Sequence, residues 1–210
     1  REGALFALVA AIVERYKASP ALTAWQAENE PFLPFGECPT VRREFLEREI
    51  ALVRSLDNAH PIVVTDSGEL GIWLRAAAYG DIFGTTMYRV IWSDRLGYIH
   101  YPLPPRFFWF KENLLRLFYP DKKIIVSEMQ GEPWGPKMIY ETPLETQYRS
   151  MSLAQFRDNI NYARAVGIRD TYLWGAEWWY WLKVKHNEPA FWNEARGLMQ
   201  SVNIKNQNDN

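Results

Sequence analysis

Two glutamates that follow apolar segments are the residues of this sequence best suited to acid–base or nucleophilic chemistry. Glu30 lies in AWQAENEPF (residues 24–32), where an apolar stretch ends in two acids flanking an amide and is closed by Pro31. Glu128 directly follows the apolar run KIIVS. Carboxylates are rarely buried without a partner, so acids in these positions are either solvated loop residues or functional groups. Because proline disfavours the helical region for the preceding residue, we expect Glu30 to be extended.

Two such carboxylates on one face would suit the hydrolysis of glycosides. One carboxylic acid protonates the departing glycosidic oxygen, and the other attacks the anomeric carbon or activates a water. The environment sets the two roles, because the acid needs a raised pKa and the nucleophile must stay ionised. Glu28 and Glu132 are competing acids. We expect Glu132 to be exposed in its Gly-Pro loop, and Glu28 to point to the same side as Glu30 and to form an ion pair.

The elements that must position these acids are helices alternating with short apolar strands. Such alternation predicts an α/β fold with a parallel sheet and right-handed crossovers, either an open doubly wound sheet or a (β/α) barrel. No G-x-G-x-x-G or P-loop follows a strand, which disfavours the nucleotide-binding open sheet. The predicted helices are 1–18, 40–56, 71–78, 105–118, 152–166 and 188–199, and the predicted strands are 22–27, 61–65, 82–88, 123–127 and 171–174.

Each predicted strand delivers a polar or aromatic residue at its C-terminal end. In a (β/α) barrel those ends share one face, and that face carries the active site. The placement therefore predicts a common site for these groups. They are Glu30, Asp66, Tyr88, Glu128 and Trp174.

Two short motifs carry a resemblance to a known group of enzymes. The motif N-E-P at residues 29–31 and the motif S-E-M-Q-G-E-P-W at residues 127–134, followed by a strand ending in Trp174, resemble the large clan of retaining glycoside hydrolases on (β/α)8 barrels (clan GH-A). The resemblance is closest to the cellulase-like members. It implies an O-glycosyl hydrolase that acts on β-linked oligosaccharides or polysaccharides by double displacement and needs no metal or organic cofactor.

The resemblance also implies roles for individual residues. Glu30 would be the acid/base and Glu128 the nucleophile. Asn29 would contact the sugar 2-hydroxyl, Tyr88 would hold the nucleophile carboxylate, and Trp174 would form the sugar platform.

Three further residues are candidate sugar contacts, and two of them have a structural alternative. Asp66 is as well suited to a turn as to the sugar site. Trp134, on the loop after the strand of Glu128, would form a further subsite. Trp178 is balanced between substrate contact and the core.

The same resemblance makes the strand of Glu30 the fourth strand of a barrel. Residues 1–210 would then be the C-terminal part of a glycoside hydrolase barrel, with strands 4–8 present and strands 1–3 missing. We expect an N-terminal segment to complete the barrel, and any signal peptide would lie upstream.

Composition and spacing argue against several other classes of protein. The net charge of −1 lacks the footprint of a nucleic-acid binder. The apolar run at residues 5–13 is too short to span a bilayer and predicts an amphipathic helix. His60, His100 and His186 are far apart and lack the H-E-x-x-H spacing of zinc hydrolases.

Two rival hypotheses keep the barrel but change the function. The first is a non-catalytic carbohydrate-binding protein on the same scaffold, because a fold does not determine function. The second is a metal-dependent hydrolase or an aldolase. A metal-dependent hydrolase should show clustered His and Asp ligands at strand ends, and an aldolase should show a lysine inside a strand. The sequence predicts neither, since Lys123 begins its strand.

Overall fold

The computed structural model describes residues 2–34 and 41–208, with side chains described as far as residue 200. Its strands are β1 (Trp25–Gln26), β2 (Ile62–Asp66), β3 (Ile82–Met87), β4 (Val90–Ser93), β5 (Gly97–His100), β6 (Lys123–Gln130) and β7 (Asp170–Trp174). Its helices are α1 (Glu2–Tyr16), α2 (Arg43–Leu56), α3 (Trp73–Ala77), α4 (Pro105–Phe118), α5 (Leu144–Gln147), α6 (Leu153–Val166), α7 (Ala176–Lys185) and α8 (Ala190–Asn208), with a 3₁₀ turn at Ile139–Glu141.

Five strands form a parallel sheet in the order β1-β2-β3-β6-β7. Each strand lies next to its successor along the sheet, and helices connect them. The register aligns Trp25 with Ile62 and Val63 with Ile82. All five residues of β2 are buried, as expected for a central parallel strand covered on both faces. The chain is an α/β protein that matches an incomplete (β/α)8 barrel, as predicted.

The chain divides into two compact units. Unit 1 comprises Arg1–Met87, Leu103–Ser127 and Val166–Tyr172. It contains β1, β2 and β3 together with the N-terminal parts of β6 and β7. Its core includes Trp73, whose ring lies 5.3 Å from that of Phe83 and 6.0 Å from that of Phe108.

Unit 2 comprises Tyr88–Pro102, Glu128–Ala165 and Leu173–Asn210. Its core is aromatic: Phe191 packs against Trp178 at 4.7 Å and against Phe156 at 5.6 Å between ring centroids. Unit 2 also holds an antiparallel hairpin of β4 and β5. Gly97 has a φ of +72° at the end of its turn, a conformation that glycine adopts without a steric penalty.

Most predicted elements are present, with shifted ends. Helix α4 has the predicted bounds. Strand β1 has two residues instead of six, and β6 runs on to Gln130. The hairpin and α7 were not predicted. Residue 40, the predicted start of α2, lies outside the described residues.

Candidate active site

The backbone around Glu30 adopts an unusual conformation in unit 1. Glu30 has a φ of +46° and Glu28 a φ of +53°, both in the left-handed region. The expectation that Glu30 would be extended is therefore wrong. The strand ends at Gln26, so the alternation that would have put Glu28 beside Glu30 does not apply. Non-glycine residues in this region cost about 1–3 kcal/mol each and persist only where surrounding contacts hold them.

Hydrogen bonds from the two neighbouring strands hold Glu30. Its backbone N–H donates to Thr65 Oγ1 at 2.9 Å, and its carboxylate Oε1 accepts from Thr86 Oγ1 at 2.9 Å. Asn29 Oδ1 accepts from Gln26 Nε2 at 3.2 Å and lies 3.4 Å from Thr65 Oγ1. Thr86, near the end of β3, thus holds the carboxylate of Glu30, and Thr65, near the end of β2, holds its main chain. We call Asn29, Glu30, Thr65 and Thr86 the Glu30 cluster.

Glu128 lies within β6, and its carboxylate is held by a tyrosine in unit 2. The hydroxyl of Tyr88 donates to Glu128 Oε2 at 2.8 Å, the contact that the resemblance implies. The Tyr88 ring meets Trp134 edge-on, with centroids 5.2 Å apart. Burial raises the pKa of Glu128 above its ordinary value, and the Tyr88 hydrogen bond opposes that rise. Together with Gln130, these three residues form the Glu128 cluster.

Gln130 fixes the turn that presents Tyr88. Its Oε1 accepts from the backbone N–H groups of Arg89 and Val90, each at 2.9 Å, and its Nε2 donates to the Val90 carbonyl at 2.7 Å. The side chain is fully buried. Asn159 in α6 in turn donates to the Gln130 carbonyl at 2.9 Å. Because Gln130 and Glu128 are two residues apart on β6, one strand carries both the acid and the support of its tyrosine.

Trp174 ends β7 and keeps about half of its surface exposed, at 48%. Its indole N–H donates to Glu132 Oε1 at 2.9 Å. The expectation that Glu132 would be exposed is wrong, because this carboxylate is half-buried. Burial raises the pKa of Glu132, the Trp174 hydrogen bond opposes the rise, and the charges of Glu177 and Glu128 add to it.

Trp178 is part of the core of unit 2, which corrects its assignment as a sugar contact. It is only 3% exposed, and its indole N–H donates to Gln147 Oε1 at 2.6 Å. Phe191 and Tyr148 pack against the ring, with centroids 4.7 and 6.4 Å from that of Trp178. A buried indole with a satisfied N–H has no surface to offer a ligand.

Asp66 is likewise buried rather than presented to a ligand, which corrects its assignment. It is 3% exposed, and its Oδ1 accepts from the Ser67 N–H at 2.9 Å. Gly71 packs so closely that a Cβ there would lie 2.2 Å from Oδ1. Lys111 secures the same loop by donating to the carbonyls of Gly68 and Gly71, and burial lowers its pKa to about 8. Asp66 therefore belongs to the folding of the loop.

Three supporting residues escaped the sequence reasoning. Thr65, Thr86 and Gln130 are polar positions inside strands that are otherwise apolar, a signal that is visible in IVVTD, IFGTTM and KIIVSEMQ. Buried polar side chains need hydrogen-bond partners, so each such position marks a local contact of importance. The partners themselves come from other strands and cannot be read from the sequence.

Neither a metal centre nor a membrane segment is found in the described part of the chain. Residues 2–34 and 41–208 contain no group of three or more His, Cys, Asp or Glu side chains able to hold a metal ion. No helix within those ranges is both long and apolar enough to cross a bilayer.

Comparison with known proteins finds glycoside hydrolases at the level of sequence and of fold. No family model matches the chain. A 67-residue stretch, 32% of this chain, is 34% identical to the probable mannan endo-1,4-beta-mannosidase A-1 of Aspergillus terreus and covers 17% of that protein.

The structural comparison supports the fold. Native xylanase 10B from Thermotoga maritima aligns over 97% of this chain and 68% of its own, with 15% identity and a TM-score of 0.50. A β-D-glucuronidase of Dictyoglomus thermophilum aligns over 80% of this chain and 28% of its own, at 17% identity and a TM-score of 0.46. The chain thus spans under a third of the glucuronidase. The resemblance to barrel glycoside hydrolases therefore holds, over part of their length.

Proposed function

We propose that this chain belongs to a retaining glycoside hydrolase that cleaves β-linked glycosides, with Glu128 as the nucleophile and Glu30 as the acid/base. The observation that carries the proposal is the 2.8 Å hydrogen bond from the Tyr88 hydroxyl to Glu128 Oε2. A nucleophilic carboxylate must stay ionised and correctly oriented although it is partly buried, and a charge-assisted hydrogen bond of this kind serves both needs.

The proposed reaction has two steps. In the first, Glu128 attacks the anomeric carbon, the glycosidic C–O bond breaks, and Glu30 gives its proton to the leaving oxygen. This leaves a glycosyl ester on Glu128 and an ionised Glu30. In the second, Glu30 takes a proton from a water, whose oxygen attacks the anomeric carbon and releases both the sugar and Glu128.

The Glu30 cluster supports the acid/base role through its rigidity. A proton donor has to lie at a fixed place relative to the leaving oxygen, and small displacements reduce the rate strongly. Thr86 binds the carboxylate, Thr65 binds the main chain, and these contacts keep the left-handed backbone of Glu30 in place. Asn29, held by Gln26, is proposed to contact the sugar 2-hydroxyl.

The aromatic rings suggest where the sugar binds. We assign Trp174 as a platform, because its ring is half exposed while its N–H is held by Glu132. Trp134, attached to Tyr88 by an edge-on contact, is assigned to a neighbouring subsite. The mannosidase match makes β-1,4-linked mannan the first polysaccharide to test.

Covalent trapping tests the nucleophile. A 2-deoxy-2-fluoro β-mannoside with an activated leaving group slows the second step, so we expect the protein mass to rise by one fluorosugar and peptide mapping to place it on Glu128. Glu128→Gln should abolish labelling. Glu132→Gln, four residues further along the chain, is the matched control and should keep it, because a glutamine oxygen can still accept from Trp174. Labelling of Glu132 would contradict the assignment. Oligosaccharide binding without turnover, unchanged in Glu128→Gln, would favour the carbohydrate-binding alternative.

Leaving-group dependence tests Glu30. General acid catalysis contributes about 100- to 10,000-fold, and it matters only where the leaving oxygen needs a proton. Glu30→Gln should therefore lose that factor on mannan but keep most of its first-step rate on a dinitrophenyl β-glycoside. Glu28→Gln is the control and should behave like the unsubstituted chain on both. Equal losses by Glu30→Gln on the two substrates would rule out the acid role.

A further inference from the structure

Glu132 places a carboxylate directly beside the half-exposed ring of Trp174 in unit 2. Its Oε1 accepts from the indole N–H of Trp174 at 2.9 Å. A Cβ at Gly175 would lie only 2.9 Å from the Cβ of Glu132, so the main chain at Gly175 packs against the base of this side chain. The Glu132 carboxylate is therefore held at both ends, and its position beside the ring is well defined.

Only one of the two carboxylate oxygens of Glu132 is used within the chain. Among the side chains of residues 2–34 and 41–200 and the described backbone, Oε2 has no hydrogen-bond partner. An ionised carboxylate accepts several hydrogen bonds and donates none. Oε2 can therefore accept a hydrogen bond from a ligand that lies on the Trp174 ring.

No cation neutralises Glu132 within the part of the chain that the structure describes. Neither Glu132 nor Glu128 forms an ion pair there, whereas Glu194 on α8 is paired with Arg157 at 2.8 Å. The charges that act on Glu132 are those of two other carboxylates, Glu177 and Glu128. A partly buried carboxylate without a cation is unfavourable for folding, and its charge stays available to act on a ligand. The surroundings of the Trp174 ring are therefore negative.

We propose that Glu132 makes the site selective for a neutral, hydroxyl-bearing sugar over a uronic acid. The neutral sugar stacks on Trp174 and donates one hydroxyl to Glu132 Oε2. This inference rests on the proposed function, because it takes Trp174 as the sugar platform. It adds to that function the class of sugar and the residue that selects it.

Charge separates the two classes of sugar. A hydrogen bond from a sugar hydroxyl to an ionised carboxylate strengthens binding by about tenfold or more. An ionised uronate carboxylate can only accept, so it cannot make the corresponding bond to Glu132. Beside Glu132 it would also face a like charge, which lowers its affinity further. The discrimination thus combines an attraction for one class with a repulsion of the other.

The indole N–H of Trp174 reports sugar binding without requiring turnover. In the nitrogen-15-labelled full chain, its NMR signal is identified by its loss in Trp174→Phe. The two probes are β-1,4-linked mannotriose and β-1,4-linked trimannuronate, which have the same length, linkage and ring configuration and differ in the carboxylate on each ring of the second. Titration at about pH 8 keeps a carboxylate with a raised pKa ionised. We expect trimannuronate to bind at least about tenfold more weakly than mannotriose.

Glu132→Gln should remove most of this preference. The glutamine amide can still hydrogen-bond both the Trp174 N–H and a sugar hydroxyl, but it carries no charge. The ratio of the two dissociation constants should therefore fall by about fivefold or more. Glu145→Gln is the matched control, because Glu145 is exposed on α5 of the same unit and its replacement removes the same charge. It should leave the ratio unchanged.

Salt provides a second measurement that needs no variant. Raising NaCl to about 0.5 M screens the repulsion between carboxylates, so the ratio should also fall in the unsubstituted chain. Circular dichroism shows whether each variant is folded, and the salt series tests the inference even where Glu132→Gln is not.

Three results would overturn the inference. They are equal binding of the two trimers by the unsubstituted chain, a ratio that Glu132→Gln and Glu145→Gln both leave unchanged, and a Trp174 signal that responds to neither trimer. The last result would also remove Trp174 as the platform. Failure of the proposed reaction alone has a different outcome: the preference for mannotriose persists, but the fluorosugar does not label Glu128.

Discussion

The carboxylate of Glu128 experiences two opposing influences on its pKa. Burial raises it, because the charged form loses solvent, and the hydroxyl of Tyr88 lowers it by binding the charged form. The nucleophile that we propose needs the second influence to keep it ionised. We therefore propose that Tyr88 lowers the pKa of Glu128 in addition to orienting its carboxylate.

Removing the Tyr88 hydroxyl should raise the pKa of Glu128. The hydroxyl binds the charged form of Glu128, so its loss in Tyr88→Phe should move the Glu128 titration toward higher pH. Carbon-13 NMR of glutamate-labelled protein measures this without requiring turnover. Tyr98→Phe is the control, since its hydroxyl donates to the Thr146 carbonyl. A Glu128 titration that is unchanged in Tyr88→Phe would contradict the proposal that Tyr88 lowers the pKa of Glu128.

Glu49 in α2 is a buried carboxyl whose protonation is linked to stability. Its Oε2 has no hydrogen-bond partner among the residues that the structure describes. Burial raises its pKa from 4.5 to about 7, with a further contribution from the charge of Glu28. Because the folded state holds the proton more tightly than the unfolded state, Glu49 makes the free energy of unfolding fall as pH rises from about 4.5 to 7.

Glu49→Gln should remove this pH dependence. Relative to the unsubstituted chain, we expect no gain below pH 4.5 and a gain on the order of 3 kcal/mol above pH 7, from a pKa change of this size. Urea unfolding at pH 4, 5.5 and 8 measures it. Glu47→Gln, an exposed neighbour paired with Arg43, should show no such trend. A gain in the free energy of unfolding that is equal at all three pH values would mean that Glu49→Gln acts through side-chain packing and not through protonation.

At the scale of single residues, the sequence allows candidates to be selected, and their roles stay predictions, but it does not give their conformations. Glu30, Glu128 and Tyr88 could be selected because their types suit the chemistry and their motifs resemble a known clan. The left-handed backbone of Glu30 could not, because Pro31 disfavours one region of conformational space locally while Thr65 and Thr86 select another through tertiary contacts. Tertiary packing also buries Trp178 and leaves Trp174 half exposed, although both lie in one aromatic run of the sequence.

At the scale of elements, side-chain hydrogen bonds of Gln130 join β6 to the turn before β4. Gln130 satisfies two backbone N–H groups and a carbonyl of residues 89 and 90, immediately after Tyr88. A buried N–H that loses its partner costs about 1–3 kcal/mol. The side chain of Gln130 therefore transmits the position of β6 to the tyrosine that holds Glu128.

Gln130→Leu should destabilise the chain and loosen Tyr88. We expect a loss of about 2–4 kcal/mol in the free energy of unfolding, from the unpaired backbone groups, measured by urea denaturation. Line broadening of the Tyr88 ring signals should accompany it. Gln155→Leu is the control, because the side chain of Gln155 is partly exposed and donates to the side chain of Asn159, not to a buried backbone group, and should cost far less. Equal losses in the two variants would contradict the role of the turn.

Some elements could be predicted from the sequence because their signals are local. Helix α4 begins at a proline in its first position and keeps a regular apolar pattern, so both of its ends were predictable. Helix α7 is rich in Trp and Tyr, which favour helices weakly, and it buries Trp178, Trp179 and Leu182 without a clear polar face. The hairpin of β4 and β5 interrupts a strand–helix alternation, and its side-chain pairing becomes evident only in three dimensions.

At the scale of the whole molecule, α1 contributes little burial despite its apolar sequence. Val13, at 1% exposure, is its single buried residue among those described, and Phe6 stacks on Phe45 at 5.1 Å. Leu5, Leu8, Ile12 and Tyr16 form an exposed stripe at helical spacing. The apolar run of the sequence thus identified a helix but not the face by which it packs.

Substitutions on the two sides of α1 should differ sharply in their effect on stability. Leu8→Glu with Ile12→Lys should change the free energy of unfolding by no more than about 0.5 kcal/mol, as surface changes usually do. Val13→Ala should cost about 2 kcal/mol, because it leaves a small cavity in the core of unit 1. Thermal and urea unfolding measure both. A large loss in the Leu8, Ile12 variant would mean that the stripe is covered.

The fold class was predictable because the alternation of strands and helices permits few topologies. Parallel strands need crossovers, and crossovers of one hand place sequential strands side by side, as the order β1-β2-β3-β6-β7 confirms. The division into two compact units was not predictable, since no linker or change of composition marks residues 87–88 or 127–128.

The close contact of two glycines next to Trp174 has a mechanical consequence. A Cβ at Gly131 would lie 2.5 Å from the Trp174 carbonyl oxygen, and a Cβ at Gly175, whose φ is +128°, would lie 2.8 Å from the Gly131 carbonyl carbon. The main chain at Gly131 is therefore in direct contact with the main chain at residues 174 and 175, at the base of the Trp174 side chain. Glu132 accepts a hydrogen bond from the ring nitrogen of Trp174. The Trp174 side chain is thus held at two points, its own main chain and its ring nitrogen. A single methyl group added at Gly131 would therefore push against the main chain of Trp174 and displace its ring.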